Sequence, residues 1–172
     1  DPSGDGRLGP GGAGRGISVL VAGGPRAYAA PRPFAGSGAV AMAAEGDFDR
    51  DGRMDLVIGP PARVLLGAGA GTLAAERSFG PYASLGGAVA AELDGDGQLD
   101  LAVLDGDVHI LVGDGRGDFA PVASHPMTSS SLLIASDLDG DGRVDLAAPS
   151  TRGTSAAVLL ASASGFEPRM VT

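Results

Sequence analysis

The chain has 172 residues, the size of one domain or of a row of small repeats, and 44% of them are apolar, which excludes a disordered chain. Cys, Lys and Asn are absent, so disulfides, thiolate chemistry, the lysine of a phosphate-binding loop and N-glycosylation are excluded. A formal charge of -9 argues against nucleic acid or an anionic membrane as partner.

Gly (30) and Pro (12) make up almost a quarter of the chain and aromatics only 4%, a mix that suits short strands joined by many turns. The longest uncharged stretch, Phe119 to Ser136, contains His125, two prolines and several serines, so it does not read as a membrane span. The chain opens on Asp1 without an initiator Met, which points to a removed leader or to a piece of a longer parent.

Laid against itself, the chain repeats. A degraded copy, Asp1 to Gly9, opens the series, followed by Asp47 to Leu56 (DFDRDGRMDL), Glu92 to Leu101 (ELDGDGQLDL) and Asp137 to Leu146 (DLDGDGRVDL). An apolar stretch precedes each full copy, at Ala39 to Ala44, Ala88 to Ala91 and Leu132 to Ala135. Another follows directly, at Leu56 to Ile58, Leu101 to Val103 and Leu146 to Ala148. A third apolar run recurs at Val19 to Val21, Val64 to Leu66, Ile110 to Val112 and Val158 to Leu160, and a Gly-rich turn then leads to Tyr28, Leu73, Phe119 and Phe166. Each unit therefore predicts four antiparallel strands in about 45 residues, the size of a propeller blade. The expected fold is an all-β β-propeller array with three full blades, 39–83, 84–130 and 131–172, and an incomplete N-terminal blade over 1–38 that lacks its first strand. Closure of the ring by this chain, by other copies or by a longer parent all stay open.

The acidic loops carry the chemistry. Each has carboxylates at positions 1, 3, 5 and 9 and glycine at position 6: Asp47, Asp49, Asp51 and Asp55; Glu92, Asp94, Asp96 and Asp100; Asp137, Asp139, Asp141 and Asp145. Alternating acids in a tightly coiled loop turn towards one centre, and the backbone carbonyl at position 7 (Arg53, Gln98, Arg143) adds a further oxygen. The set approaches the six to eight oxygens that Ca2+ prefers, and suits strictly octahedral magnesium less well. About three ions per chain are expected, with a fourth at Asp1, Ser3 and Asp5 disfavoured because Ser3 and Gly9 replace two of the acids. An EF-hand is disfavoured too, since its position 12 glutamate is replaced by Ile58, Val103 or Ala148. Two carboxylates about 4 Å apart repel by roughly 4 kcal/mol at an effective dielectric near 20, so a bound cation is expected to stabilise the fold.

Other constellations are weaker. Arg116-Gly117-Asp118 falls inside the repeated hairpin turn, where the preceding unit has Ala70-Gly71-Thr72. His109 is expected in a strand and His125, before Pro126, in a loop, and neither has a partner at ligand spacing. The last unit replaces the Gly-x-Gly-x-Gly turn by Ala161-Ser162-Ala163-Ser164-Gly165.

The pattern D-x-D-x-D-G-x-x-D-L, followed by a short apolar strand and a turn such as Gly59-Pro60-Pro61, resembles the FG-GAP repeat, also called the VCBS or integrin-α-like repeat. Phe79-Gly80 with Ile58-Gly59-Pro60 is similar to the signature that names that family, and Leu65 to Leu73 and Leu111 to Phe119 to its strand-turn-strand half. The resemblance implies blades of a propeller, calcium in the loop between the first two strands, and a non-catalytic module for adhesion, scaffolding or protein recognition on secreted or cell-surface proteins. A glycan-binding or enzyme-accessory domain is the alternative. A protein or glycan ligand is expected, with no nucleic acid, no membrane insertion and a homo-oligomer or further blades from the same parent as ways to complete the ring.

Overall fold

In a computed structural model the described residues are 17–19, 22–24, 27–28, 32–34, 41–82, 85–126, 132–149 and 156–171. They contain strands and turns and no helix. The degraded loop at 1–9 lies outside them, as does most of the expected strand Val19 to Val21.

The chain divides into two compact units, 1–40 and 41–172. In the first, β1 (Ile17–Val19) pairs with β4 (Arg32–Phe34), and β2 (Ala22–Gly24) with β3 (Ala27–Tyr28). The described strands of the expected incomplete blade thus form two nested two-stranded sheets.

The second unit holds three antiparallel four-stranded sheets, each a simple meander. The first is β5 (Ala41–Gly46), β6 (Asp55–Gly59), β7 (Arg63–Gly69) and β8 (Thr72–Ser78). The next is β9 (Gly87–Ala91), β10 (Asp100–Asp105), β11 (Asp107–Gly113) and β12 (Phe119–His125). The last is β13 (Ile134–Ser136), β14 (Asp145–Pro149), β15 (Ala156–Ser162) and β16 (Gly165–Val171). Every apolar run predicted for this unit falls on or beside its strand. His125 closes β12 rather than lying in a loop, because its backbone pairs with Val108.

The central strands read as unbroken apolar runs because both faces of their sheet are covered. Along β10, Leu101 and Val103 point into a core shared with Phe48, Val57, Val64, Leu66, Phe79 and Tyr82 of the first sheet. Ala102 and Leu104 point the other way, into a core shared with Leu133, Leu146, Ala148 and Leu159 of the third. The period-2 alternation of strand side chains therefore sends successive residues into two different cores, and the middle sheet is packed between its neighbours. Burying each large aliphatic side chain here is worth about 1.5–3 kcal/mol.

Aromatic contacts fasten the first junction. Phe48, second residue of the first acidic loop, meets Phe119 of β12 edge-on at 5.3 Å, and Phe79 meets the same ring at 5.7 Å. The backbone N–H of Gly117 donates to the Phe48 carbonyl at 3.0 Å. Asp118, in the same turn, is ion-paired with Arg77 of β8. The Arg116-Gly117-Asp118 tripeptide is thus part of a packed hairpin turn, as its place in the repeat predicts.

Candidate metal centres

Each acidic loop joins the first and second strands of its sheet, so the three loops stand at equivalent places. The coil is closed by short bonds in which a carboxylate accepts from backbone N–H groups further along, as aspartates do in turns. Asp47 accepts from the N–H of Asp51 at 3.0 Å and of Gly52 at 2.9 Å, and Asp137 from Gly140 at 2.7 Å and Gly142 at 3.0 Å. Glu92 accepts from Asp94 at 3.2 Å and also from Gly95. Position 3 accepts from position 5 in every loop: Asp49 from Asp51, Asp94 from Asp96 and Asp139 from Asp141. Glycine at position 6 is required, because Gly52, Gly97 and Gly142 have φ of 82°, 79° and 87°, a region that costs other residues steric strain.

Three carboxylate groups converge in each loop, with ligand atoms within 4.8 Å of one another. In the first loop these are Asp47, Asp49 and Asp55, and in the third Asp137, Asp139 and Asp145. In the second they are Glu92, Asp94 and Asp96. The second trio takes position 5 in place of position 9. In the first and third loops the position 7 residue is arginine, and its guanidinium pairs with the position 5 carboxylate, Arg53 with Asp51 and Arg143 with Asp141. Asp141, accepting from the Arg143 backbone N–H and its guanidinium, is held below the ordinary aspartate value. In the second loop position 7 is Gln98, whose neutral amide donates to Asp96 at 2.6 Å. The backbone N–H at position 7 also donates to position 5, at 2.9 Å from Arg53, 2.8 Å from Gln98 and 2.8 Å from Arg143.

Position 9 plays a second part that the repeat pattern does not reveal. Asp55, Asp100 and Asp145 are fully buried. One oxygen of each accepts from the position 2 backbone, from Phe48 at 2.8 Å, Leu93 at 2.8 Å and Leu138 at 2.7 Å. The other reaches across the sheet to the third strand, to Gly67 at 2.7 Å, Gly113 at 2.9 Å and Ala161 at 2.8 Å. The residue, first of the second strand, thus ties the loop to the neighbouring third strand. Burial pushes the Asp55 and Asp100 carboxyls above the ordinary value, the two backbone donors offset part of that, and the neighbouring loop acids raise it again.

The donor set consists only of carboxylate and amide oxygens, hard ligands that fit calcium or magnesium rather than a soft transition metal. No helix among the described residues is long and apolar enough to cross a membrane. No curated protein matches the sequence. The family model described as FG-GAP-like repeat matches residues 47–103 and again 93–148, each span running from one acidic loop through the next, and together the two cover more than half of the chain. The matched spans contain all three acidic loops, and the chain belongs to the FG-GAP-like repeat family.

Proposed function

We propose that the chain is a non-catalytic recognition module whose three full repeats are blades of a β-propeller, each holding one calcium ion in its acidic loop. Family membership supports the propeller-like reading, and the packing of three meander sheets face to face agrees with it. One observation carries the metal assignment: a trio of carboxylate oxygens gathered within 4.8 Å at the same place in each of three sheets. Asp47, Asp49 and Asp55 would hold the ion in the first loop, with Asp51 and the Arg53 carbonyl completing the set. Glu92, Asp94 and Asp96 with Asp100 and the Gln98 carbonyl would do so in the second, and Asp137, Asp139 and Asp145 with Asp141 and the Arg143 carbonyl in the third.

A bound ion supplies charge neutralisation and cross-linking of the loop, and no reaction. The protein's own part is to hold four acids per loop in a coil whose repulsion the cation relieves. A module of this kind belongs on a secreted or cell-surface protein, where calcium is abundant, and offers its junctions and loop face to a protein partner. Thermal melting in calcium, in magnesium and in chelator tests the assignment. Calcium is expected to raise the melting temperature more than equimolar magnesium, and chelator to lower it. Identical melting in all three would remove the metal from the account.

A further inference from the structure

The two junctions between sheets are built from equivalent residues, yet the second contains a cleft of about 740 Å³. At the first junction the turn between β11 and β12 fills this place. Gly113 pairs with Phe119 across that turn, leaving five residues, 114–118, between them, whereas Ala161 pairs with Phe166 across only four, 162–165. The longer turn packs down: a Cβ at Gly117 would lie 2.9 Å from Leu66, and one at Gly115 3.2 Å from Cδ of Arg50. At the second junction three counterparts are smaller. Leu93 replaces Phe48, Gly95 replaces Arg50 and Val112 replaces Leu66, and all three line the cleft. The bond from Gly117 to the Phe48 carbonyl has no equivalent to Leu93 among the described backbone bonds outside the strands.

We propose that this cleft is a docking site for a glycine-bearing turn of a partner protein, which sits as residues 114–118 sit at the preceding junction. The occupant follows from that equivalence. Its backbone N–H meets the Leu93 carbonyl, a glycine takes the place that Gly117 holds at a φ of 85°, a conformation that favours glycine, and its polar side chains stay at the rim beside Glu92, Asp94, Arg143, Ser162 and Ser164. Ile110 and Phe166 give the rest an apolar lining, with Val122 exposed at its edge. The volume lies within the roughly 300–1,000 Å³ of small-ligand clefts. The inference rests on the recognition reading above and specifies one surface for it.

The test is an NMR titration of the full chain in calcium with the capped pentapeptide Asp-Gly-Arg-Gly-Asp, against a capped Gly-Gly-Asp-Asp-Arg control. Saturable shifts confined to residues 93–95, Ile110, Val112, Ala123, Arg143 and residues 162–166 are expected with the first peptide alone. Replacing 162–165 by Asp-Gly-Arg-Gly-Asp fills the cleft from within and is expected to weaken binding at least about tenfold, read directly as Kd. Val122→Trp, at a residue 60% exposed, fills it from the surface should that graft fail to fold, and is expected to weaken binding likewise. Absence of saturable shifts, equal response to both peptides, or undiminished binding by a folded cleft-filled variant overturns the proposal. So does a monosaccharide that shifts these residues when the peptide does not. Calcium uptake, followed in the same samples by loop amide shifts at Gly52, Gly97 and Gly142, separates the outcomes: failure of the peptide on a calcium-loaded chain removes the cleft and leaves the module reading standing.

Discussion

Asp100 accepts a hydrogen bond from the backbone N–H of Gly113 at 2.9 Å, joining the end of an acidic loop to the third strand of its sheet. Its other oxygen holds Leu93 N–H, so both backbone donors depend on one buried side chain. Asp100→Ala orphans both, at about 1–3 kcal/mol each, and this loss is present whether or not metal is bound. Asp51→Ala and Asp96→Ala remove exposed loop acids and are expected to lower the melting temperature in calcium but little in chelator. Melting curves of the three variants in both conditions check the contrast. Equal losses in both conditions for Asp51→Ala and Asp96→Ala would refute a ligand role for those side chains.

Gly113 is also fixed by space. A Cβ there would lie 2.2 Å from the Leu99 carbonyl oxygen, and one at Gly67 2.4 Å from that of Met54. Because the obstacle is backbone, Gly113→Ala is expected to cost about 1–3 kcal/mol by denaturant unfolding. The equivalent residue of the third sheet is already alanine, Ala161, and Ala161→Gly is expected to bring no comparable gain.

The guanidinium of Arg143 competes for the Asp141 carboxylate. Arg143→Gln gives the third loop the chemistry that Gln98 gives the second, and is expected to tighten calcium binding at that loop. Gln98→Arg is expected to weaken the second. Calcium titrations by calorimetry read both directions, and unchanged affinities would show that position 5 takes no part in holding the ion.

Tyr82 packs against Phe79 and His109 with ring centroids 6.1 and 5.0 Å away. Burial, with added repulsion from Asp105, pushes its phenol above the ordinary 10.0. The unfolded chain then ionises first, so stability is unaffected below about pH 10 and is lost as pH rises through the folded value. Ultraviolet titration is expected to show one tyrosine ionising late, and Asp105→Asn to move it back towards 10. A Tyr28→Phe variant, in which Tyr82 alone titrates, that shows its transition at the ordinary 10.0 would contradict this placement.

Much of this architecture is legible in the residues. The spacing of the acidic loops and the apolar runs on either side of them locate the twelve strands among the described residues of 41–172, because strand, turn and loop chemistry agree locally. What the pattern hides is long-range. Nothing in D-x-D-x-D-G-x-x-D distinguishes Asp55, buried and bonded to Gly67 on the adjacent strand, from Asp49, which stays in its loop. Position 2 is similarly mute: Phe48 is buried beneath Phe119, while Leu138, equivalent in the third loop, is 50% exposed, since no further sheet in this unit covers it. The effect of Arg53 and Arg143 on position 5 follows from side-chain reach, which spacing does not encode. The loss of the Gly-x-Gly-x-Gly turn in the last repeat is visible in the sequence, but its consequence, an open cleft, depends on the neighbouring sheet.

Calcium in the three loops is the central claim, and native mass spectrometry of the chain with calcium and after chelation tests it most directly. One spectrum counts ions per chain and chains per particle. The account predicts three ions per chain, lost one by one when Asp49→Ala, Asp94→Ala and Asp139→Ala are combined in turn. A spectrum that shows no bound calcium at saturating concentration would contradict it and leave the acidic loops as turns held by their own backbone.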